Sequence, residues 1–201
     1  MLSLLVLTSL LGLGAVPQSQ SPADRAQEIV LLHAPLDSAQ LRRMQVWNDK
    51  GAEWRDPKPA ELWDDRTPVL IVHFWATWCK PCREEFPIWQ ELAPKIEAQH
   101  KGRVRILFVA VQSSGPDMEN FMAKSRAQMP AGPLYLDFSE RLTEGLRRRV
   151  DGERLSYPVT LWLDPQRVVR QALVGSMKAR RGELMDSTTR LLKLFEPQPP
   201  R

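Results

Sequence analysis

The chain has 201 residues, with 28 Lys and Arg against 24 Asp and Glu, a net charge of +4, and 43% hydrophobic and 26% charged residues. That balance excludes a fibrous or disordered chain, and the two signs are interspersed, leaving no basic stripe on which nucleic acid would bind. Roughly 180 residues beyond an apolar leader suffice for one domain with an ordinary core, and two cysteines are too few for a disulfide scaffold.

Residues 1–16 form an uncharged, leucine-rich run as long as the apolar core of an export signal, followed by Pro17 and a Gln/Ser stretch. The run is shorter than the ~20 residues of a spanning helix, so an export leader is expected and a membrane anchor is the alternative. Two features depart from the pattern: no Lys or Arg precedes the run, and Leu13 stands where a small residue is usual before cleavage after Ala15. Residues 17–39 read as a spacer, disordered through Asp24, with 28–33 an apolar segment of undecided state. Asp37 followed by Gln40 resembles a capping box for a helical turn through Leu41. Residues 44–47 and 52–54 read as a hairpin, with Gly51 expected at the positive φ of its turn. Residues 60–63 read as one turn of helix.

Residues 68–75 (PVLIVHFW) are almost all β-branched or aromatic, which predicts a central strand covered on both faces, with His73 its only polar residue. From 80 to 100 the apolar residues Phe86, Trp89, Leu92, Ala93 and Ile96 recur at helical spacing, and Pro87 and Pro94 should bend that helix. A second buried strand is expected over 104–111, a second helix over 117–128 packing through Phe121 and Met122, and a short strand over 134–137. Ser139 is placed to cap a further helix whose Leu142, Leu146 and Val150 repeat every four residues, with Arg147, Arg148 and Arg149 on its solvent side. Pro158 opens a third buried strand over 159–164, which turns at Pro165 and Gln166 into an antiparallel partner over 167–174. Gly175 breaks the chain before a last helix bearing Leu184, Thr188, Leu191 and Phe195, and 197–201 read as a frayed tail. Strands alternating with helices predict a three-layer α/β/α sandwich with a mixed sheet over residues 40–196, carrying an N-terminal hairpin extension.

Both cysteines sit at the first strand-to-helix junction, spaced Cys-x-x-Cys. That spacing puts Cys79 at the helix amino end and Cys82 about a turn inward, close enough to pair reversibly. Unpaired N–H groups and the positive end of the helix dipole favour thiolate at Cys79, and in such motifs a thiol pKa falls from about 8.5 to roughly 3.5–7.5. Cys79 is therefore the expected nucleophile and Cys82 the resolving thiol. Lys80 would add positive charge if its ammonium leaned toward the sulfur, and Pro81 has no N–H to lose in the first turn. A metal set of Cys79, Cys82 and His73 is the alternative, and a stabilising disulfide a weaker one, because so short a loop constrains the unfolded chain little.

Trp78-Cys79-Lys80-Pro81-Cys82 resembles the active site of the thioredoxin superfamily, and residues 74–87 (FWATWCKPCREEFP) are similar to its exported TlpA/ResA-like branch. Pro87, Pro158 before VTLWLD, and Gly175 extend the likeness over most of 40–195. The resemblance implies a thioredoxin-like fold and an extracytoplasmic or periplasmic thiol-disulfide oxidoreductase that reduces protein disulfides without a cofactor or resident metal. The implied partners are cysteine-containing exported proteins, such as apocytochrome c during cytochrome c maturation, and a membrane electron-donor thiol protein; the chain would act as a monomer. It implies a cis Pro158 facing the disulfide, with the Tyr157 backbone pairing with an extended substrate; Trp78, Lys80 and Pro81 would complete the substrate surface. Tyr157 departs from the smaller residue usual there and should narrow the groove. His73 stands where relatives carry Asp or Asn and is a candidate for proton transfer to and from Cys82, against the reading of a hydrogen-bonded core histidine. Glu85 matches an acidic residue of ResA-like proteins that tunes the thiols. Trp75 is a candidate for either the apolar rim or the core.

Overall fold

The apolar run at the centre of the sequence forms β3 (Val69–Trp75), buried along its whole length. Successive side chains of a strand point to opposite faces, so a strand apolar at every position must be covered on both. Val69, Ile71 and Trp75 enter one core with α4 (Lys80–His100), α5 (Gly115–Ser125) and α7 (Arg181–Leu194); Leu70, Val72 and Phe74 enter a second. Beneath that second face lie α1 (Pro22–Leu31), α2 (Ser38–Arg42), α3 (Pro59–Leu62) and α6 (Arg141–Arg147), which contribute Leu31, Leu41, Leu62, Leu142 and Leu146. Each fully buried Leu, Ile, Val or Phe contributes about 1.5–3 kcal/mol relative to exposure, so the two cores supply most of the drive to this architecture. The structure, a computed structural model, describes residues 21–63, 67–150 and 154–195; the expected leader and tail lie outside the described residues.

The sheet has seven strands in the order β2-β1-β5-β4-β3-β6-β7. β4 (Val104–Ala110) and β5 (Leu134–Leu136) run parallel to β3, while on the other side β6 (Val159–Leu163) pairs antiparallel with β3 and β7 (Val169–Val174) antiparallel with β6. The hairpin β1 (Gln45–Asn48) and β2 (Glu53–Arg55) adds to β5, also antiparallel. The carboxyl ends of β3, β4 and β5 thus open on one end of the sheet, where open α/β sheets place their sites.

Four local expectations change. The stretch expected to be a spacer is helical from Pro22: Ser21 and Asp24 form a capping box with Pro22 in the first turn, and α1 packs on β7. In the β1–β2 turn it is Ala52, not Gly51, that has positive φ (50°). A Cβ at Gly51 would come within 2.8 Å of both Asn48 Nδ2 and Glu53 Oε1, the ends of two flexible side chains that hydrogen-bond to each other at 3.2 Å, so a side chain there would displace that exposed bond. Asp37 caps α2 by accepting from Ala39 and Gln40 N–H, but Gln40 does not complete a box; its Oε1 is buried without a partner. Glu140, with φ 53°, is the residue before α6, and Ser139 accepts from Arg141 N–H at 3.4 Å while its hydroxyl donates to Asp137 Oδ1 at 3.1 Å.

Candidate active site

Cys79 is the N-cap of α4, and its Sγ accepts the Cys82 N–H at 3.2 Å. The chain reaches that cap through a tight turn in which Cys79 N–H bonds Ala76 O, and Arg83 N–H then returns to Cys79 O. Cys79 and Cys82 are joined in a disulfide with their Cα atoms 5.3 Å apart. Cys79 is 3% exposed and Cys82 0%, so any approach from solvent meets Cys79. Lys80 does not lean toward the sulfur. Its ammonium lies 3.9 Å from Glu84 Oε1 along the helix, and Glu84 also pairs with Lys178.

Around the disulfide the loops after β3, β4 and α6 meet. Trp78, 57% exposed, donates its indole N–H to Gln112 O at 3.2 Å, and Thr77 N–H reaches Ser113 Oγ at 3.4 Å. The Tyr157 ring stands edge-on to Trp78 with centroids 6.1 Å apart, and burial pushes its phenol up to about 12. The Tyr157–Pro158 peptide is cis, and Pro158 O accepts the Gly175 N–H at 2.8 Å, Gly175 taking φ 80° at the end of β7. Trp75 belongs to the core that also holds Cys79 and Cys82, packed on Phe86 and Phe121 with centroids 5.1 and 5.6 Å away, whereas Trp78 is exposed beside Cys79.

Two buried titratable groups lie beneath. Glu85 is three residues after Cys82, one helical turn on and on the same side of α4. Its Oε1 accepts the Met177 N–H while Oε2 is buried without a partner. Desolvation raises its pKa to about 7, against the downward pull of the Met177 N–H, Ser176 and Lys178. His73 is fully buried in β3, where Nδ1 lies 3.0 Å from Thr160 Oγ1 of β6. Its ring packs on Trp89 at 4.8 Å and Phe108 at 5.9 Å, and Nε2 has no partner. Desolvation lowers its pKa to about 3, which leaves a neutral imidazole at physiological pH. No hydrogen bond joins it to either cysteine, and no group of three His, Cys, Asp or Glu gathers for a metal among the described residues.

The reading of residues 17–39 as a spacer hides a support of this site. Gln27 of α1, 6% exposed, donates to Arg154 O at 3.0 Å and accepts from Ser156 N–H at 3.1 Å, gripping the backbone just before Tyr157 and Pro158. Glu28 accepts from Val174 N–H at 2.8 Å and pairs with Arg180 at 2.6 Å, fastening both ends of the loop that carries Gly175 and Met177. The cap signal Ser21-Pro22-Ala23-Asp24 announces the helix, but nothing local announces partners about 130–150 residues away.

The pattern of the AhpC/TSA family matches residues 48–172, more than half of the chain. The thioredoxin-like protein YneN of Bacillus subtilis is 27% identical over 124 residues, 62% of this chain and 66% of that protein. The thiol-disulfide oxidoreductase ResA of Bacillus cereus is 34% identical over 73 residues, 36% of this chain and 40% of that protein. The matches therefore span under two thirds of these relatives. Among solved structures, a thioredoxin-related protein from Neisseria meningitidis serogroup B superposes with a TM-score of 0.54 at 24% identity, covering 75% of this chain and 99% of that one. A thioredoxin-like protein from Porphyromonas gingivalis gives 0.52 at 20% identity, covering 80% and 97%. At these identities the two structures establish the thioredoxin-like fold alone.

Proposed function

This chain belongs to the AhpC/TSA family, and on that premise we propose that it is a thiol-disulfide oxidoreductase that reduces protein disulfides through the Cys79/Cys82 pair. The observation that carries the reading is a disulfide whose outer sulfur caps a helix and accepts an amide N–H. The same N–H and helix dipole would hold the reduced Cys79 as thiolate.

In the proposed cycle the Cys79 thiolate attacks one sulfur of a client disulfide, and the S–S bond breaks toward the other sulfur, which leaves as a thiolate and takes a proton. Cys82, deprotonated, attacks Cys79 Sγ in the mixed disulfide; the client's second thiol is released, and the Cys79–Cys82 bond seen here forms. Two electrons pass to the client, and a donor dithiol protein must return them. Glu85, one turn from Cys82 and titrating near neutrality, is suited to take and return the Cys82 proton at working pH. His73 is too weak a base for that exchange at neutral pH in this oxidised state, so we assign it to packing β3 against β6 and Trp89. Tyr157 and Trp78 form the wall of the client groove beside cis-Pro158.

The apolar run at 1–16 supports an extracytoplasmic location, where cysteine-containing exported proteins, apocytochrome c among them, would be the clients and a membrane thiol protein the donor. Among the described residues no helix is long and apolar enough to cross a membrane. Insulin reduction by dithiothreitol tests the activity. Wild type should accelerate it and Cys79→Ser should not; equal rates for both proteins would overturn the proposal.

A further inference from the structure

At the carboxyl end of β5, on the same end of the sheet as the disulfide, lies an open groove of about 330 Å³ bordered by Arg43, Arg141, Phe138 and Gln40. Both arginines are exposed, and neither has an anionic partner among the described residues, unlike Arg147 and Arg148, which share Glu144. Phe138 is 46% exposed yet held in place: its ring meets Trp54 edge-on at 6.0 Å and lies across Gly115, where a Cβ would come within 3.3 Å of it. Gln40 Oε1 is buried on the α2 side without a donor. An adjoining hollow of about 230 Å³ adds Arg149; its carboxylate, Asp37, is engaged in capping α2. Two guanidiniums without anionic partners among the described residues and a fixed apolar ring make a surface for an anionic chain.

The loop that borders the active site leads to the groove. Trp78, next to Cys79, is fastened to Gln112, and Thr77 to Ser113; that loop runs into Gly115, on which Phe138 rests. β3 and β5 are separated by β4 alone, so their ends lie about 10 Å apart, which an extended peptide crosses in roughly three residues. Resting on the oxidoreductase reading, we propose that the groove of Arg43, Arg141 and Phe138 docks acidic side chains three to five residues from the client's cysteine, selecting disulfides in acidic segments.

The test uses two synthetic peptides, each with one cysteine in a mixed disulfide with a chromogenic thiol, carrying Glu or Gln at those positions, and follows their reduction by the pre-reduced protein as the second-order rate constant of a single turnover. The wild type is expected to prefer the Glu peptide roughly fivefold at low ionic strength, as two exposed ion pairs allow, and to lose the preference in 0.5 M salt. The Arg43→Gln/Arg141→Gln protein should reduce both peptides equally, at the wild-type rate for the Gln peptide. Equal rates with wild type, or a preference that survives the double substitution, overturn the docking site while leaving the activity in place. A cysteine-free Glu peptide titrated by fluorescence anisotropy separates the two claims. If neither peptide is reduced yet the Glu peptide binds wild type more tightly than the double variant, docking stands and the activity fails.

Discussion

Glu85→Gln keeps an oxygen for the Met177 N–H and removes the ionisable proton, and its effect on the pH dependence of stability follows from the two buried groups of the site. Glu85 has its folded pKa raised from 4.5 to about 7, so its contribution is full below pH 4.5 and is lost as pH rises toward 7. His73 has its folded pKa lowered from 6.5 to about 3, so its contribution is full above pH 6.5 and is lost as pH falls toward 3. Between pH 4.5 and 6.5 the two oppose each other, each at about 1.4 kcal/mol per pH unit, and the wild-type curve is nearly flat from this pair. Glu85→Gln leaves His73 uncompensated. Relative to wild type, the variant should therefore gain about 2–3 kcal/mol of unfolding free energy on going from pH 4.5 to 6.5. The assay is urea unfolding of the oxidised protein at half-unit pH steps, taking the difference between variant and wild type so that the remaining carboxylates cancel. Parallel curves across this window would refute the assignment of a proton to buried Glu85 near neutrality.

Tyr157→Ala removes the ring that stands against Trp78 and should raise kcat/KM for insulin several-fold while leaving the turnover of a small aromatic disulfide within about twofold. Unchanged insulin kinetics would exclude Tyr157 from the groove wall. Gln27→Ala breaks two hydrogen bonds to the backbone ahead of Tyr157 and leaves that backbone partly unsatisfied, so the protein should lose about 1–3 kcal/mol of stability. If the grip positions the cis-Pro158 loop, KM for protein clients should rise with kcat held, and Gln27→Glu, which keeps one acceptor for Ser156 N–H, should recover part of it.

The parts legible in the sequence are those with a local physical cause. Uninterrupted apolar character marks β3 as doubly covered, the 3.6-residue period marks α4, and the Cys79-x-x-Cys82 spacing at their junction marks the site. The errors arose where partners are remote in sequence. Nothing near Gln27 shows that its amide grips Arg154 and Ser156, and without that contact a short polar helix after an apolar run reads as a spacer. Lys80 is the opposite case, a local one: the i,i+4 Glu84 competes for its ammonium, and that spacing is visible in the sequence itself. His73 and Glu85 were both legible as departures or matches by position. What separated them was the polar group each meets when buried: His73 has the Thr160 hydroxyl among the rings of Trp89 and Phe108, and Glu85 has a backbone N–H aimed at its carboxylate.

The central claim is that Cys79 attacks and Cys82 resolves. It is tested most directly by incubating Cys82→Ser and Cys79→Ser proteins with a disulfide-bearing client peptide and locating the trapped mixed disulfide by mass spectrometry. The helix-cap geometry predicts a stable adduct at Cys79 in Cys82→Ser and little or none at the enclosed Cys82 in Cys79→Ser. An adduct that forms equally fast at Cys82 would contradict it.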